Sequence, residues 1–178
     1  AAGLKVEVVA SLPLAIAATD AQAQVAALNE ARPGAVLMIM AGRMVEVFIR
    51  DYRAAGSAAP LYTISVGITD APGSAARLQG GLQGVVTASI VPPPSLTLYA
   101  IVAEYQRDRA EFGEKIDSYN ALEGYIVARV FVEGLRRAGR DLTRQGFIQS
   151  MERIGSLNIG GFPVTYGPGD HNGSHYVD

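Results

Sequence analysis

The sequence contains no cysteine. Disulfides, thiolate metal sites and cysteine nucleophiles are therefore excluded. Such a chain is compatible with an oxidising compartment. Nor is there an excess of positive charge: 15 Lys and Arg face 17 Asp and Glu, for a formal net charge of −2. The basic footprint that nucleic acid requires is missing, and so is the polybasic stripe that an anionic membrane attracts. No apolar run approaches the roughly 18 residues of a membrane-spanning helix. The opening residues, Ala1-Ala2-Gly3-Leu4, lead straight into a β-branched run with no leader-like succession before it. Internal repeats and low-complexity tracts are absent as well.

The common catalytic signatures are missing too. Gly-x-Ser-x-Gly does not occur, so there is no nucleophile elbow. Gly80-Gly81 is followed neither by a P-loop lysine nor by dinucleotide-binding spacing. The two histidines, His171 and His175, lie four apart, which suits a metal only on a shared helix face. Gly167, Pro168, Gly169 and Gly173 argue against a helix there, and Asp170-His171-Asn172-Gly173 reads as a turn. The expectation is a protein that is not an enzyme and has no metal and no cofactor.

What the chain does have is apolar residues, 49% of the total, enough to build a sizeable core. They alternate between two patterns. Leu4–Ala10, Ala35–Met40, Leu61–Val66 and Gly84–Ile90 are short β-branched or continuous apolar runs and read as strands. The run AVLMIM has the look of a strand buried on both faces. Between the runs, Ala21, Val25, Leu28 and Ala31 fall on one helical face, with Asp20 at the N-cap position and Pro33-Gly34 as the stop. Val45, Phe48, Ile49 and Tyr52 form the stripe of a second helix ending at Gly56. A short helix is expected between Asp70 and Gln79. This alternation is that of an α/β domain with a mostly parallel sheet.

The pattern changes at Pro92-Pro93-Pro94, which blocks both helix and central strand. Beyond it the spacing predicts helices over about Ser95–Glu111, Ser118–Ala138 and a third one capped by Thr143. The first turns Leu98, Ile101, Val102 and Tyr105 inward, and the second carries Val127, Val130, Phe131, Gly134, Leu135 and Ala138. Glu123 and Arg129 fit helix-surface pairing. The third carries Phe147, Ile148, Met151 and Ile154. The glycine-rich tail from Gly160 to Val177 reads as hairpin-like or irregular. These helices are expected to have no sheet of their own, and their apolar stripes need another surface to cover them.

In open α/β sheets, ligands sit beyond the carboxyl ends of the strands. Those ends are Ser11-Leu12-Pro13, Ala41-Gly42-Arg43-Met44 and Ser65-Val66-Gly67. Ala41 and Gly42 would let a ligand approach backbone N–H groups, and the helix start beyond them offers anion-binding amides. Arg43 would pair a carboxylate bidentately, or else it is a solvated first-turn arginine.

The order of these segments resembles a known family, the branched-chain amino-acid-binding (Leu/Ile/Val-binding-like) type I periplasmic binding proteins. The resemblance rests on Asp20–Val25, Pro33–Val36, Ile49–Gly56, Gly84–Thr87, Val91-Pro92, Glu123–Arg129, Leu135–Gly139, Tyr166–Pro168 and His171–Gly173. Together these span essentially the whole chain. The resemblance implies a solute-binding component of an ABC transporter, extracytoplasmic, serving a membrane permease complex without itself inserting into the membrane. The implied alternative is a sensing receptor or regulator domain of the same fold. Residues 1–90 would belong to lobe two, 91–156 to a crossover and helices packing on lobe one, and 157–178 to a terminal crossover. Members of the family are about twice as long, so this chain would be their C-terminal half.

The resemblance also assigns residues. Val91, Pro92 and Pro93 would form a hinge, and Tyr119 and Asn120 would face the interlobe cleft, unless Tyr119 packs under the crossover and Asn120 only opens its helix. With Ser11, Ala41, Gly42, Arg43, Ser65 and Gly67 they make up the candidate ligand-binding set. Ser65 stands near the position of a glutamate that holds the ammonium of amino-acid ligands in the family. A serine supplies a hydrogen bond but no countercharge. The expected ligand is therefore a small polar metabolite, an amino acid or, better, an organic or aromatic acid.

Overall fold

The computed structural model describes residues 5–67, 82–113, 115, 117–140 and 142–178. The chain divides into two compact units, Ala1–Ala88 and Ser89–Asp178.

The first unit holds a parallel three-stranded sheet in the order β1-β2-β3, formed by Val36–Met38, Leu61–Ile64 and Val85–Ala88. Leu61 stands between Val36 and Val85, and Thr63 between Met38 and Thr87. Two helices, α1 (Gln22–Ala31) and α2 (Arg43–Ala54), share a core cluster with one face of this sheet. Its centre is Val25, Met38, Val45 and Ile49, with Val36 and Leu61 beside them. The stripe read from the sequence for α2 is buried in full: Val45, Phe48, Ile49 and Tyr52. The α/β class with a parallel sheet is the fold this sequence adopts.

Several boundaries differ from the expectation. Residues 5–10 form no strand, and Val6 and Val8 are exposed. A β-branched run becomes a strand only when a neighbouring ladder takes up its N–H and C=O groups. The strand expected over Leu61–Val66 ends at Ile64, where Ser65–Gly67 tighten into a 3-10 turn. Those expected over Ala35–Met40 and Gly84–Ile90 shorten to Val36–Met38 and Val85–Ala88. The run around β1 is not buried on both faces. Leu37, Tyr62 and Val86 form one cross-strand row that is 65%, 40% and 52% exposed, because α1 and α2 pack on the opposite face. The helix expected between Asp70 and Gln79 lies outside the described residues.

Asp20 does not cap α1. The N-cap residue is Ala21, and its N–H donates to the Asp51 carboxylate of α2 at 2.6 Å. Arg50 holds the other carboxylate oxygen at 2.7 Å. The helix closes at Arg32, which takes a left-handed φ of 47° and donates its N–H to Leu28, and Pro33 prevents any continuation.

The second unit contains α3 (Ala100–Glu111), α4 (Tyr119–Ala138) and α5 (Arg144–Glu152), followed by β4 (Gly155–Ile159), β5 (Phe162–Gly167) and β6 (Asp170–Gly173). The cap of α5 follows the sequence, with Thr143 Oγ1 accepting from Gly146 N–H, and Ser118, expected as the first residue of α4, is its cap, with Oγ accepting from Ala121 N–H. The helix expected from Ser95 begins five residues later, after the proline run, so Leu98 precedes it and is exposed, while Ile101, Val102 and Tyr105 are buried.

The expectation of helices without their own sheet is overturned. β4, β5 and β6 form an antiparallel sheet, turning at Gly160-Gly161 with φ of 56° and 90°. Phe162 and Val164 of β5 join Val91, Ile101, Leu122, Ile126 and Val130 in one core. Of the two readings of the glycine-rich tail, hairpin-like and irregular, the hairpin-like one holds, whereas Asp170–Gly173, read as a turn, is strand β6, with the turn at Pro168-Gly169 before it.

Candidate functional site

Because β1 and β2 run parallel, their carboxyl ends lie on the same edge of the sheet. That edge brings Ala41, Gly42 and Arg43, which follow β1, next to Ser65 and Gly67, which follow β2. Gly42 is the N-cap of α2, with φ 64° and ψ −138°. An added Cβ there would meet nothing within 4 Å, so glycine is required by the backbone angle, and the space beside it is open. No side chain caps α2, whose positive end therefore faces this edge together with the exposed Arg43. Ser65 is buried in the 3-10 turn. The edge can donate hydrogen bonds to a ligand or pair an anion, and it holds no acid at Ser65.

The remaining candidates lie elsewhere. Ser11 is exposed and follows the unpaired run. Tyr119 and Asn120 open α4 in the second unit; Tyr119 packs against the second core, and Asn120 is exposed. Val91 and Pro92 are buried in that unit, with Val91 part of its core, and Pro93 is half-buried.

The second unit also carries a polar seam between α3 and α4. Tyr125 donates its hydroxyl to Asp108 at 2.6 Å, and Arg129 pairs with Glu104 while lying 5.9 Å from the Tyr125 ring. The Tyr125 bond is the main cause holding the Asp108 carboxyl below its ordinary range, and burial pushes the Tyr125 phenol up. This seam ties two helices together, which accounts for Arg129 structurally.

The histidines are held separately. His171 Nε2 lies 3.2 Å from Glu152, and His175 Nε2 lies 3.2 Å from Asp170. Among the described residues no group of three or more potential metal ligands occurs.

A groove of about 310 Å³ opens beside α4, lined mainly by Val127, Val130, Phe131, Phe147, Met151 and Phe162, with Tyr166 and Asn172 among its few polar walls. It includes Val91 of the candidate hinge but none of the candidate binding residues. Val127 and Phe131 on its rim are 60% and 50% exposed. The helical spacing had marked this stripe as needing cover, whereas the contributions of Tyr166 and Asn172 depend on β5 and β6, whose pairing carries no simple spacing signal.

A family model described as periplasmic binding protein matches residues 1–178. No curated protein matches. Among solved structures, a possible leucine/isoleucine/valine-binding protein from Rhodopirellula baltica SH 1 is 29% identical, with a TM-score of 0.77, covering 86% of this chain and 42% of its own. An extracellular ligand-binding receptor from Verminephrobacter eiseniae ef01-2 is 24% identical, with a TM-score of 0.72 and coverages of 90% and 46%. A fatty acid ABC transporter substrate-binding protein from Thermomonospora curvata is 21% identical, with a TM-score of 0.76 and coverages of 87% and 41%. The chain thus spans less than half the length of these solved relatives.

Proposed function

This chain belongs to the periplasmic binding protein family, and on that premise we propose that it is part of the solute-capturing component of an ABC transporter. The protein works outside the cytoplasm, delivers its ligand to a membrane permease complex and performs no chemistry on it. Residues 1–90 contribute to one lobe, 91–156 supply a crossover and helices that cover the other, and 157–178 form a terminal crossover. The exposed stripe of Val127 and Phe131 supports this division, because monomeric soluble proteins rarely leave such an apolar patch bare. The part of the protein beyond this chain covers it.

The ligand is a small polar metabolite held at the carboxyl edge of the parallel sheet. The observation that carries this is the open space at Gly42, beside the uncapped start of α2 and Arg43. Ser65 favours an organic or aromatic acid over a free amino acid. A buried ammonium without a countercharge loses several kcal/mol, a large share of the roughly 8 kcal/mol of micromolar binding. Titration calorimetry of the full-length protein against leucine, valine, benzoate and succinate tests this. Heat with the acids, weakened at least tenfold by Arg43→Ala, is expected. Tight leucine binding with no response to the acids overturns the ligand assignment.

A further inference from the structure

We infer that Tyr176 is a positioning residue for the start of the second unit: its ring seats the C-terminal tail, and the tail's backbone holds Ser89. Ser89 is the first residue of that unit and is buried. It donates its N–H to the Asp178 carbonyl at 2.8 Å and accepts the Asp178 N–H at 2.9 Å, a reciprocal pair across the full length of the unit. Its hydroxyl donates to the Val91 carbonyl at 2.9 Å. Val91 is itself buried among Ile101, Val102 and Leu122, so the backbone at 89–91 is held from both sides.

Beside the exposed His175–Asp170 contact, the tail's apolar grip on the unit comes from Tyr176. Val177, between Tyr176 and the paired Asp178, is exposed and anchors nothing. The Tyr176 ring lies 5.5 Å from Phe162 and meets Tyr99 edge-on at 6.5 Å. Phe162 belongs to the core of the unit, and Tyr99 caps α3, so the tail is tied through one ring to β5 and to the start of a helix. Burial, followed by a hydrogen bond with Tyr99, pushes the Tyr176 phenol up to about 12, and it stays neutral in this apolar seat. Ordering residues 174–178 costs conformational entropy that exposed hydrogen bonds offset poorly, whereas a seated aromatic ring adds apolar burial.

Hydrogen exchange resolved to single amides, on the full-length protein without ligand, tests this independently of any transport role. In Tyr176→Ala the amides of Ser89 and Asp178 are expected to exchange at least tenfold faster, while Val164 of β5 and Ile101, which donates to Gly160, keep their protection. Tyr176→Phe is expected to restore most of the protection at Ser89. Asp178→Pro, which removes the N–H given to Ser89 but leaves the ring, is expected to loosen Ser89 alone, and it serves should Tyr176→Ala fail to fold. Unchanged Ser89 exchange in the folded variants overturns the inference. So does equal acceleration of Val164 and Ile101, which would make Tyr176 a general core residue.

Discussion

The carboxylate of Asp51 receives the N–H of Ala21, thirty residues earlier in the chain, at 2.6 Å. A residue on α2 thereby does the capping that α1 lacks from its own sequence, and joins the two helices that cover the parallel sheet. Replacing Asp51 with alanine leaves the Ala21 N–H without its partner and removes the Arg50 contact, so a loss of about 1–3 kcal/mol is expected. Urea unfolding followed by circular dichroism measures it.

The same group sets an acid limit. The Arg50 hydrogen bond, then the Ala21 N–H and the Arg50 charge, hold the Asp51 carboxyl below its ordinary 3.8, against the opposing effect of burial. A depressed folded-state pKa contributes stability that is present above the unfolded value and lost as pH falls through the folded one. Thermal stability is therefore expected to drop below about pH 4, and Asp51→Asn to flatten that drop. An equally steep acid limb in the variant would assign it to other carboxylates.

Two glycines are expected to resist substitution for different reasons. Gly42→Ala meets no neighbour but must hold a φ of 64°, which costs about 1–3 kcal/mol wherever the new side chain points. Gly134→Ala has ordinary space in φ but places its Cβ 2.9 Å from the Phe147 ring and closer still to the Met151 sulfur. Adding Phe147→Leu and Met151→Ala should recover much of the Gly134→Ala loss and none of the Gly42→Ala loss. Melting temperatures of the single and combined variants separate the two.

Val127→Lys together with Phe131→Glu should leave the secondary structure of the 178-residue chain intact, since both side chains are largely exposed, and should lower its binding of a hydrophobic dye. In the full-length protein the same pair is expected to reduce stability by about 1–4 kcal/mol, because an ion pair would then stand in place of buried apolar side chains. Equal stability of the full-length protein with and without the pair would leave the stripe uncovered.

Where local chemistry decides, the sequence was a good guide. The α2 stripe, the Thr143 cap, the start of α4 near Ser118 and the stop at Pro33 all depend on residues within a few turns of one another. The sequence misled where long-range partners decide. The run around Val6 and Val8 has strand composition but forms no ladder, and the cap of α1 comes from Asp51 rather than the neighbouring Asp20. The sheet of β4, β5 and β6 was legible only as a hairpin-like or irregular stretch from Gly160, and its first strand not at all, because Gly155, Gly160, Gly161 and Gly173 dilute the apolar alternation that usually marks strands. At the candidate site, parallel pairing makes the shared edge of Gly42 and Ser65 legible from strand order alone. The groove walls contributed by Tyr166 and Asn172 emerge only once the hairpins are paired.

The two sheets also differ in how far apart their partners lie along the chain. Ile159 pairs with Phe162 across a two-glycine turn, whereas Val36 must find Leu61 past the whole of α2. Contacts of short sequence separation close fast, and distant ones carry a larger entropic barrier. The hairpins after Gly155 should therefore gain exchange protection first in pulse-labelled refolding, with the parallel strands following, so that a segment made after the parallel strands is ready to fold before them.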